Sequence, residues 1–99
     1  MLGANNRITV TRLGTGTHQT YSVSVGVADC YLERMGLNQA SLIDAGNPYE
    51  IYEVITPLDG VKVNDKVTDK ANREYRVLSA ERVDDFTNFT KLIMRAVVK

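Results

Sequence analysis

Apolar and polar residues alternate along most of this chain, as they do in β-strands that have one buried face. From Tyr21 to Val27, an aromatic residue and three valines alternate with two serines and Gly26, and successive side chains of a strand point to opposite faces. The same period of two occurs within segments 61–67, 74–77 and 92–98. Val, Ile, Thr, Tyr and Phe are common here and suit a pleated, half-buried surface. The pattern predicts a largely β fold.

Turn-forming residues separate these runs. Gly, Pro, Asn and Asp favour turns for different backbone reasons, and they cluster at 13–17, 46–48, 57–60 and 69–72. The resulting strands are predicted at about 7–13, from near 19 onward, and at 49–56, 61–67, 74–78 and 92–98. Short strands at this spacing are typical of sandwiches and barrels. We therefore predict one all-β domain over residues 1–99, a small antiparallel β-barrel or sandwich of six or seven strands.

One segment, 36–46, does not follow the strand pattern. Its apolar residues Leu37, Leu42 and Ile43 do not alternate with polar ones, and glycines bound it at both ends. It is predicted to be a short helical turn or a long ordered loop, and long loops in compact domains are often functional.

Two predicted strands carry apolar residues on both faces. In the strand at 49–56, Tyr49, Ile51 and Ile55 share one face while Tyr52 and Val54 share the other. In the last strand, Ile93 and Val97 lie opposite the apolar face. A barrel has only one interior, so the outer residues need a second cover. A strand bulge, the 36–46 segment or another subunit could provide it.

Charge and composition narrow the functional classes. Twelve basic and twelve acidic residues cancel to a net charge of zero, whereas nucleic-acid binders usually carry a basic excess. The chain contains no run of about 18 apolar residues, the length of a membrane span. Residues 1–7 lack the charged-then-apolar pattern of a secretion signal, which predicts an intracellular protein.

The residues that could carry chemistry are few. His18, the only histidine, has no nucleophile or carboxylate beside it in sequence and is interpreted as a solvated loop residue. Cys30 is interpreted as a small core residue. The adjacent acids at 84–85 would point to opposite faces of a strand, and Asp65 and Asp69 lack the glycine and glutamate of a calcium loop. Both pairs are therefore interpreted as solvated turn acids. We predict no catalytic residue, no cofactor and no metal.

The second half of the chain resembles a known family. Residues 61–69 (VKVNDKVTD) and 73–78 (REYRVL) are similar to the V-x-x-G-D-x-V-x-D … G-x-x-Y-x-V signature of small tailed-phage neck proteins. These are the head-closure, head–tail joining and head-completion proteins. Asn64 stands where glycine is usual, and asparagine also tolerates positive φ.

The resemblance implies a virion structural protein rather than an enzyme. Such proteins form a homo-oligomeric ring under the portal, help to close the DNA channel and contact a portal or adaptor protein and a tail protein. DNA passes by without being specifically bound, no membrane is involved, and assembly takes place in the host cytoplasm. A tail-terminator or minor tail protein fits nearly as well. The alternative from another class is a β-barrel module that binds single-stranded nucleic acid, by stacking on Tyr52 or Tyr75, or a peptide strand.

The expected contacts with other subunits or partners are apolar residues without an evident place in one core. They come from segment 36–46, the two-faced strands and the connection at 84–90, and they are Leu37, Leu42, Ile43, Tyr52, Val54, Phe86, Phe89 and Ile93.

Overall fold

The computed structural model describes residues 4–14, 23–43, 50–83 and 88–97. Over these residues the chain forms six strands and one helix, which confirms the predicted all-β class. The elements are β1 (Asn6–Arg12), β2 (Val23–Arg34), α1 (Leu37–Ile43), β3 (Ile51–Thr56), β4 (Lys66–Thr68), β5 (Glu74–Val83) and β6 (Phe89–Ala96).

The strands close into one antiparallel barrel rather than a two-sheet sandwich. Their order around the barrel is β1-β2-β3-β6-β5-β4. The three-residue strand β4 completes the circle, since Val67 pairs with Val10 of β1 and with Tyr75 of β5. Closure pairs the strands that would otherwise form the two edges of an open sheet.

The barrel interior is filled by the inward faces predicted from alternation. Tyr75 and Val77 of β5 are buried, as are Leu92 and Met94 of β6. The other buried apolar members of this core are Ile8, Val10, Cys30, Leu32, Val54, Val61 and Val67.

Helix α1 provides the second cover that the two-faced strands require. Ala40 is fully buried and packs with Ile51 and Met35, while Ile93 lies partly buried against the same cluster. The fifth member is Leu78 of β5, next to a register irregularity between Val77 and Ser79. The cover for Ile51 and Ile93 therefore comes from α1 and Met35 of the same chain.

The predicted strand at 61–67 is mostly wrong. Only residues from Lys66 onward form a strand, and Val63 lies 55% exposed in a turn. The cause is local, because Asn64 adopts a φ of 74° and the Asp65 carboxylate accepts the Lys62 amide at 2.8 Å. The tight hairpin turn predicted at 69–72 is confirmed: the Asn72 amide donates to the Asp69 carbonyl at 3.0 Å.

Strand β2 begins at Val23 within the described residues, and its valines do not line the interior as a set. Gly26 pairs with the buried Val10, and directly opposed residues share a face of the sheet. Gly26 therefore faces inward and Val27 outward, where Val27 is 49% exposed. The register shifts between Val10 and Thr11, and Val25 packs against the core.

Candidate interaction surfaces

The most exposed large apolar side chain of the described residues, that of Leu42, lies on α1. Leu37 is 46% exposed, Leu42 89% and Ile43 41%, while Ala40 anchors the helix to the barrel. We call Leu37, Leu42 and Ile43 the helix patch. The helix contains no charged residue. A fully solvated leucine beside two half-exposed aliphatic residues is a surface suited to contact with another protein.

Two of the other predicted contacts point inward. Val54 is fully buried because its register places it opposite the buried Leu92 inside the barrel, so its prediction as an interface residue is wrong. Tyr52 also faces the core, and its ring meets that of Tyr75 edge-on, with centroids 5.2 Å apart. Tyr52 is only partly buried, and the Arg34 guanidinium carbon lies 5.8 Å from its ring centroid.

The remaining predicted contacts lie in different places. Ile93 is covered by α1, and Phe89 is partly buried at the start of β6 opposite Val83. Phe86 lies outside the described residues, as do His18 and the acidic pair at 84–85. Among the predicted residues that the structure describes, Leu37, Leu42 and Ile43 lie together on α1, and Ile93 packs against the cluster that contains Ala40 of the same helix.

Three further exposed apolar side chains were missed by sequence reasoning. Leu13, directly after β1, is 39% exposed, and Val23 and Val27 of β2 are 46% and 49% exposed. Val27 lies opposite Thr9 and Val23 opposite Arg12, and the register shift between them places the two valines on different faces of the sheet. Alternation identified the strand but not which face is buried. The available signal was Gly26, since a glycine in phase with inward residues often marks a close approach of another group.

That close approach is made by Leu58. A Cβ atom at Gly26 would lie 2.5 Å from the Leu58 Cδ1 atom. Leu58 belongs to the loop 57–65, whose Val61 is also buried in the barrel core. The loop therefore packs across the end of the barrel where β1 ends.

An ion pair holds this loop to β1. The Arg12 Nε and Nη2 atoms donate to the two Asp65 carboxylate oxygens, each at 2.8 Å, and Nη2 also donates to the Gly60 carbonyl at 2.7 Å. The hydrogen bond to Asp65 raises the pKa of Arg12. Asp65 is only 2% exposed, so its interpretation as a solvated turn acid is wrong.

Asp69 is a second buried carboxylate with a structural role. It accepts the amides of Ala71 and Arg73, each at 2.9 Å, the Arg73 Nε at 3.1 Å and the Tyr75 hydroxyl at 2.8 Å. Burial pushes the pKa of Asp69 upward, but the bonds from Tyr75 and the two amides outweigh burial and lower it. The prediction of a solvated acid is wrong here too, because the hairpin folds its own donors around the side chain.

A shallow cleft of about 270 Å³ lies beside this hairpin. Its lining is a mixture of aromatic, charged and apolar side chains: Tyr52, Asn72, Arg73, Glu74, Tyr75, Ala96 and Val97. Tyr75 is only 1% exposed and cannot serve as a stacking platform, whereas the Tyr52 ring is partly accessible. Glu74 and Arg73 are already paired, with Lys66 and Asp69 respectively.

The described residues offer little catalytic chemistry. Cys30 is 2% exposed, which confirms its interpretation as a core residue, and burial, followed by the charge of Asp29, raises its pKa to about 11. A thiol with so high a pKa is a poor nucleophile at neutral pH. Within the described ranges, no three or more His, Cys, Asp or Glu residues group to hold a metal ion. No helix in the same ranges is long and apolar enough to cross a membrane.

No protein-family model matches the chain, and no curated protein matches it.

Proposed function

We propose that this protein is a structural subunit of the tailed-phage neck, which assembles into a ring under the portal and joins head to tail. The observation that carries the proposal is the helix patch, where three large aliphatic side chains stand exposed within a seven-residue uncharged helix. The resemblance of residues 61–78 to neck proteins supports the same reading. Two acids of this segment stabilise the fold, because Asp65 holds the loop and Asp69 holds the hairpin that flank β4.

The barrel suits such a role physically. Each strand is paired on both sides for at least part of its length, so the subunit is a closed unit that can be repeated around an axis. Its zero net charge suits a channel through which DNA slides, because a basic lining would bind phosphates along the path. In this proposal, the helix patch mediates subunit contact, and the neighbours above and below are a portal or adaptor protein and a tail protein.

The mass of the purified protein in solution tests ring formation. We expect the wild type to form a closed oligomer, measured by sedimentation velocity and seen as rings by electron microscopy. The double variant Leu42→Asp/Ile43→Asp should be a folded monomer. Ser41→Asp, which adds a charge to an exposed position of the same helix, is the matched control and should assemble. A wild type that stays monomeric at high concentration would contradict the proposal.

Location tests the virion assignment. In cells that produce phage particles, the tagged protein should co-sediment with those particles in a density gradient, and imaging should place it at the neck. A position on the tail itself would favour the alternative of a tail-terminator or minor tail protein. Recovery only in light fractions, while particles are being made, would contradict a virion role.

The cleft beside Tyr52 favours a second candidate function, a module that binds single-stranded nucleic acid or a peptide. An accessible aromatic ring next to Arg34 is the kind of surface on which a base can stack. This candidate predicts salt-dependent retention on single-stranded DNA that Tyr52→Ala reduces. Absence of retention at low salt removes its nucleic-acid branch.

A further inference from the structure

Three basic residues form a row across the outside of the barrel. Lys66 of β4 lies directly opposite Arg76 of β5, which in turn lies directly opposite Arg95 of β6. The next residues along the first two strands, Val67 and Val77, are buried in the barrel core. Successive side chains of a strand point to opposite faces, and directly opposed residues share a face. The three cations therefore lie side by side on the outer surface, and we call them the basic face.

Two acidic residues are aligned in the same way on another part of the outer surface. Glu33 of β2 lies directly opposite Glu53 of β3. The adjacent pair in this ladder, Leu32 with Val54, is buried in the core, so both carboxylates point outward. We call Glu33 and Glu53 the acidic face.

Each face places like charges in register, an arrangement that destabilises a sheet. Ion pairs within the subunit join both faces, Lys66 Nζ with Glu74 Oε1 at 3.4 Å and Lys91 Nζ with Glu53 Oε1 at 3.5 Å. Counting these two partners, the basic face keeps two positive charges in excess and the acidic face one negative charge. A neighbouring surface of opposite charge would offset the repulsion within each face.

The two faces lie on opposite sides of the subunit. Strands β2 and β5 are three positions apart in the order of six strands around the closed barrel, so Glu33 and Arg76 point away from each other. In a ring of many identical subunits, each subunit contacts its two neighbours through different surfaces on nearly opposite sides. The basic and acidic faces have this placement.

We propose that the basic face of one subunit docks on the acidic face of a second copy of this chain. The inference rests on the proposed ring, because it identifies the charged part of the contact between neighbouring subunits. Charge complementarity carries it, since one chain presents both signs of charge on opposite sides and the contact can repeat from subunit to subunit.

The helix patch lies next to both faces. Helix α1 packs over Ile51, which is directly opposite Arg95, and over Ile93, which is directly opposite Glu53. The charged contact therefore lies beside the apolar contact that the helix patch provides in the proposed ring.

Reversing one charge on each face tests this contact. Arg76 and Glu33 are both exposed. Arg76→Glu places a carboxylate between two cations, and Glu33→Arg places a cation opposite Glu53, so we expect the barrel to stay folded in both variants. Each variant alone brings like charges together at every contact. Its self-association, measured by sedimentation velocity, should be about tenfold weaker than that of the wild type.

A matched control and a change of salt separate this effect from a general effect of charge. Lys62→Glu makes the same change in charge at an exposed residue of the loop 57–65 and should assemble like the wild type. Assembly of the wild type should weaken as salt is raised from 0.05 to about 0.5 M, because salt screens charges at a surface.

Mixing the two variants gives the sharpest result. The new carboxylate of the first variant meets the new guanidinium of the second, and the unchanged Arg76 of the second meets the unchanged Glu33 of the first. An equimolar mixture should therefore recover assembly that neither variant shows alone. The double variant Arg76→Glu/Glu33→Arg should assemble for the same reason.

The outcomes separate this inference from the proposed function. If the wild type forms rings and either variant assembles like the wild type, the charged faces are not in contact although the ring stands. A mixture that assembles no better than its components also overturns the contact. A polyanion such as DNA would use the basic face only, and Glu33→Arg would then have no effect on assembly. If the wild type itself is monomeric, both the ring and the inference fail.

Discussion

Arg12 on β1 and Asp65 just before β4 form a bidentate ion pair, with Nε to Oδ1 and Nη2 to Oδ2 both at 2.8 Å. Asp65 also receives the Lys62 amide at 2.8 Å, and its own carbonyl accepts the Val77 amide at 3.0 Å. One residue thus connects β1, the loop 57–65 and β5. Since β4 is only three residues long, this connection supports the closure of the barrel beside it.

Replacing Asp65 should therefore lower the stability of the folded protein substantially. Asp65→Asn keeps the shape but removes the charge that Arg12 faces, and we expect the free energy of unfolding to fall by about 2–4 kcal/mol. Arg12→Lys keeps the charge but loses the planar two-point contact. Its effect should be smaller, about 1 kcal/mol, because the Arg12 side chain is one-third exposed and partly screened by water. Urea unfolding measures both variants, and equal stability of Asp65→Asn and the wild type would contradict this account.

The Asp69 cluster predicts a loss of stability in acid. The pKa of Asp69 is lower in the folded protein than its ordinary value of 3.8. As the pH falls, this carboxylate is therefore protonated in the unfolded chain before it is protonated in the folded protein. The stabilisation is complete above that ordinary value and is lost as the pH falls through the lower folded pKa. Unfolding measured from about pH 5 to pH 2 should show this slope, and Asp69→Asn should reduce it.

Tyr75→Phe should act in the same direction within this cluster. It leaves a buried carboxylate with one donor fewer, which we expect to lower the free energy of unfolding by about 1–3 kcal/mol. The acid slope should become shallower because the folded pKa of Asp69 moves back toward its ordinary value. An unchanged slope in both Asp69→Asn and Tyr75→Phe would show that other carboxylates dominate acid unfolding.

Two buried groups predict a loss of stability in alkali. Burial raises the pKa of Cys30 from 9.0 to about 11, and burial followed by the bond to Asp69 raises that of Tyr75 well above 10.0. At the pH where these two side chains begin to ionise in the unfolded chain, both are still neutral in the folded protein. Their contribution is complete below pH 9 and decreases as the pH rises from there. Cys30→Ala should flatten the decrease seen in urea unfolding between about pH 8 and pH 11, while a curve parallel to the wild type would contradict it.

Gly26 and Leu58 should show coupled stabilities. Gly26→Ala places a Cβ atom 2.5 Å from the Leu58 Cδ1 atom, so Leu58 must rotate away and we expect a loss of about 1–2 kcal/mol. In the background of Leu58→Ala, the same glycine substitution should be nearly neutral. The double-mutant cycle should therefore yield a coupling of about 1 kcal/mol, and strictly additive effects would mean that Leu58 does not fill this space in solution.

Features that depend on a few adjacent residues could be predicted from the sequence. The strands around Tyr75 and Leu92 follow from alternation. The turn at 69–72 follows from Asp69, whose side chain accepts the Ala71 amide, and from Asn72, which adopts a positive φ. The exposed helix patch was also anticipated, because Leu37, Leu42 and Ile43 fit no strand pattern. These signals are local, so they can be recognised without knowledge of the fold.

Features that depend on distant partners could not be predicted. The sequence predicts Asp65 to be a turn acid, because its partner Arg12 lies 53 residues away and meets the carboxylate only in the folded protein. The sequence predicts Val54 to be a subunit contact, whereas its strand register opposite Leu92 places it inside the barrel.

Sequence alone therefore determined the class of fold, the turns and the presence of excess apolar surface. Only the tertiary structure decided that the strands close into one barrel, that α1 covers Ile51 and Ile93, and that Val23 and Val27 stay exposed. The physical reason is that alternation reports that a strand has two unlike faces, whereas strand register and the packing of remote segments decide which face is buried.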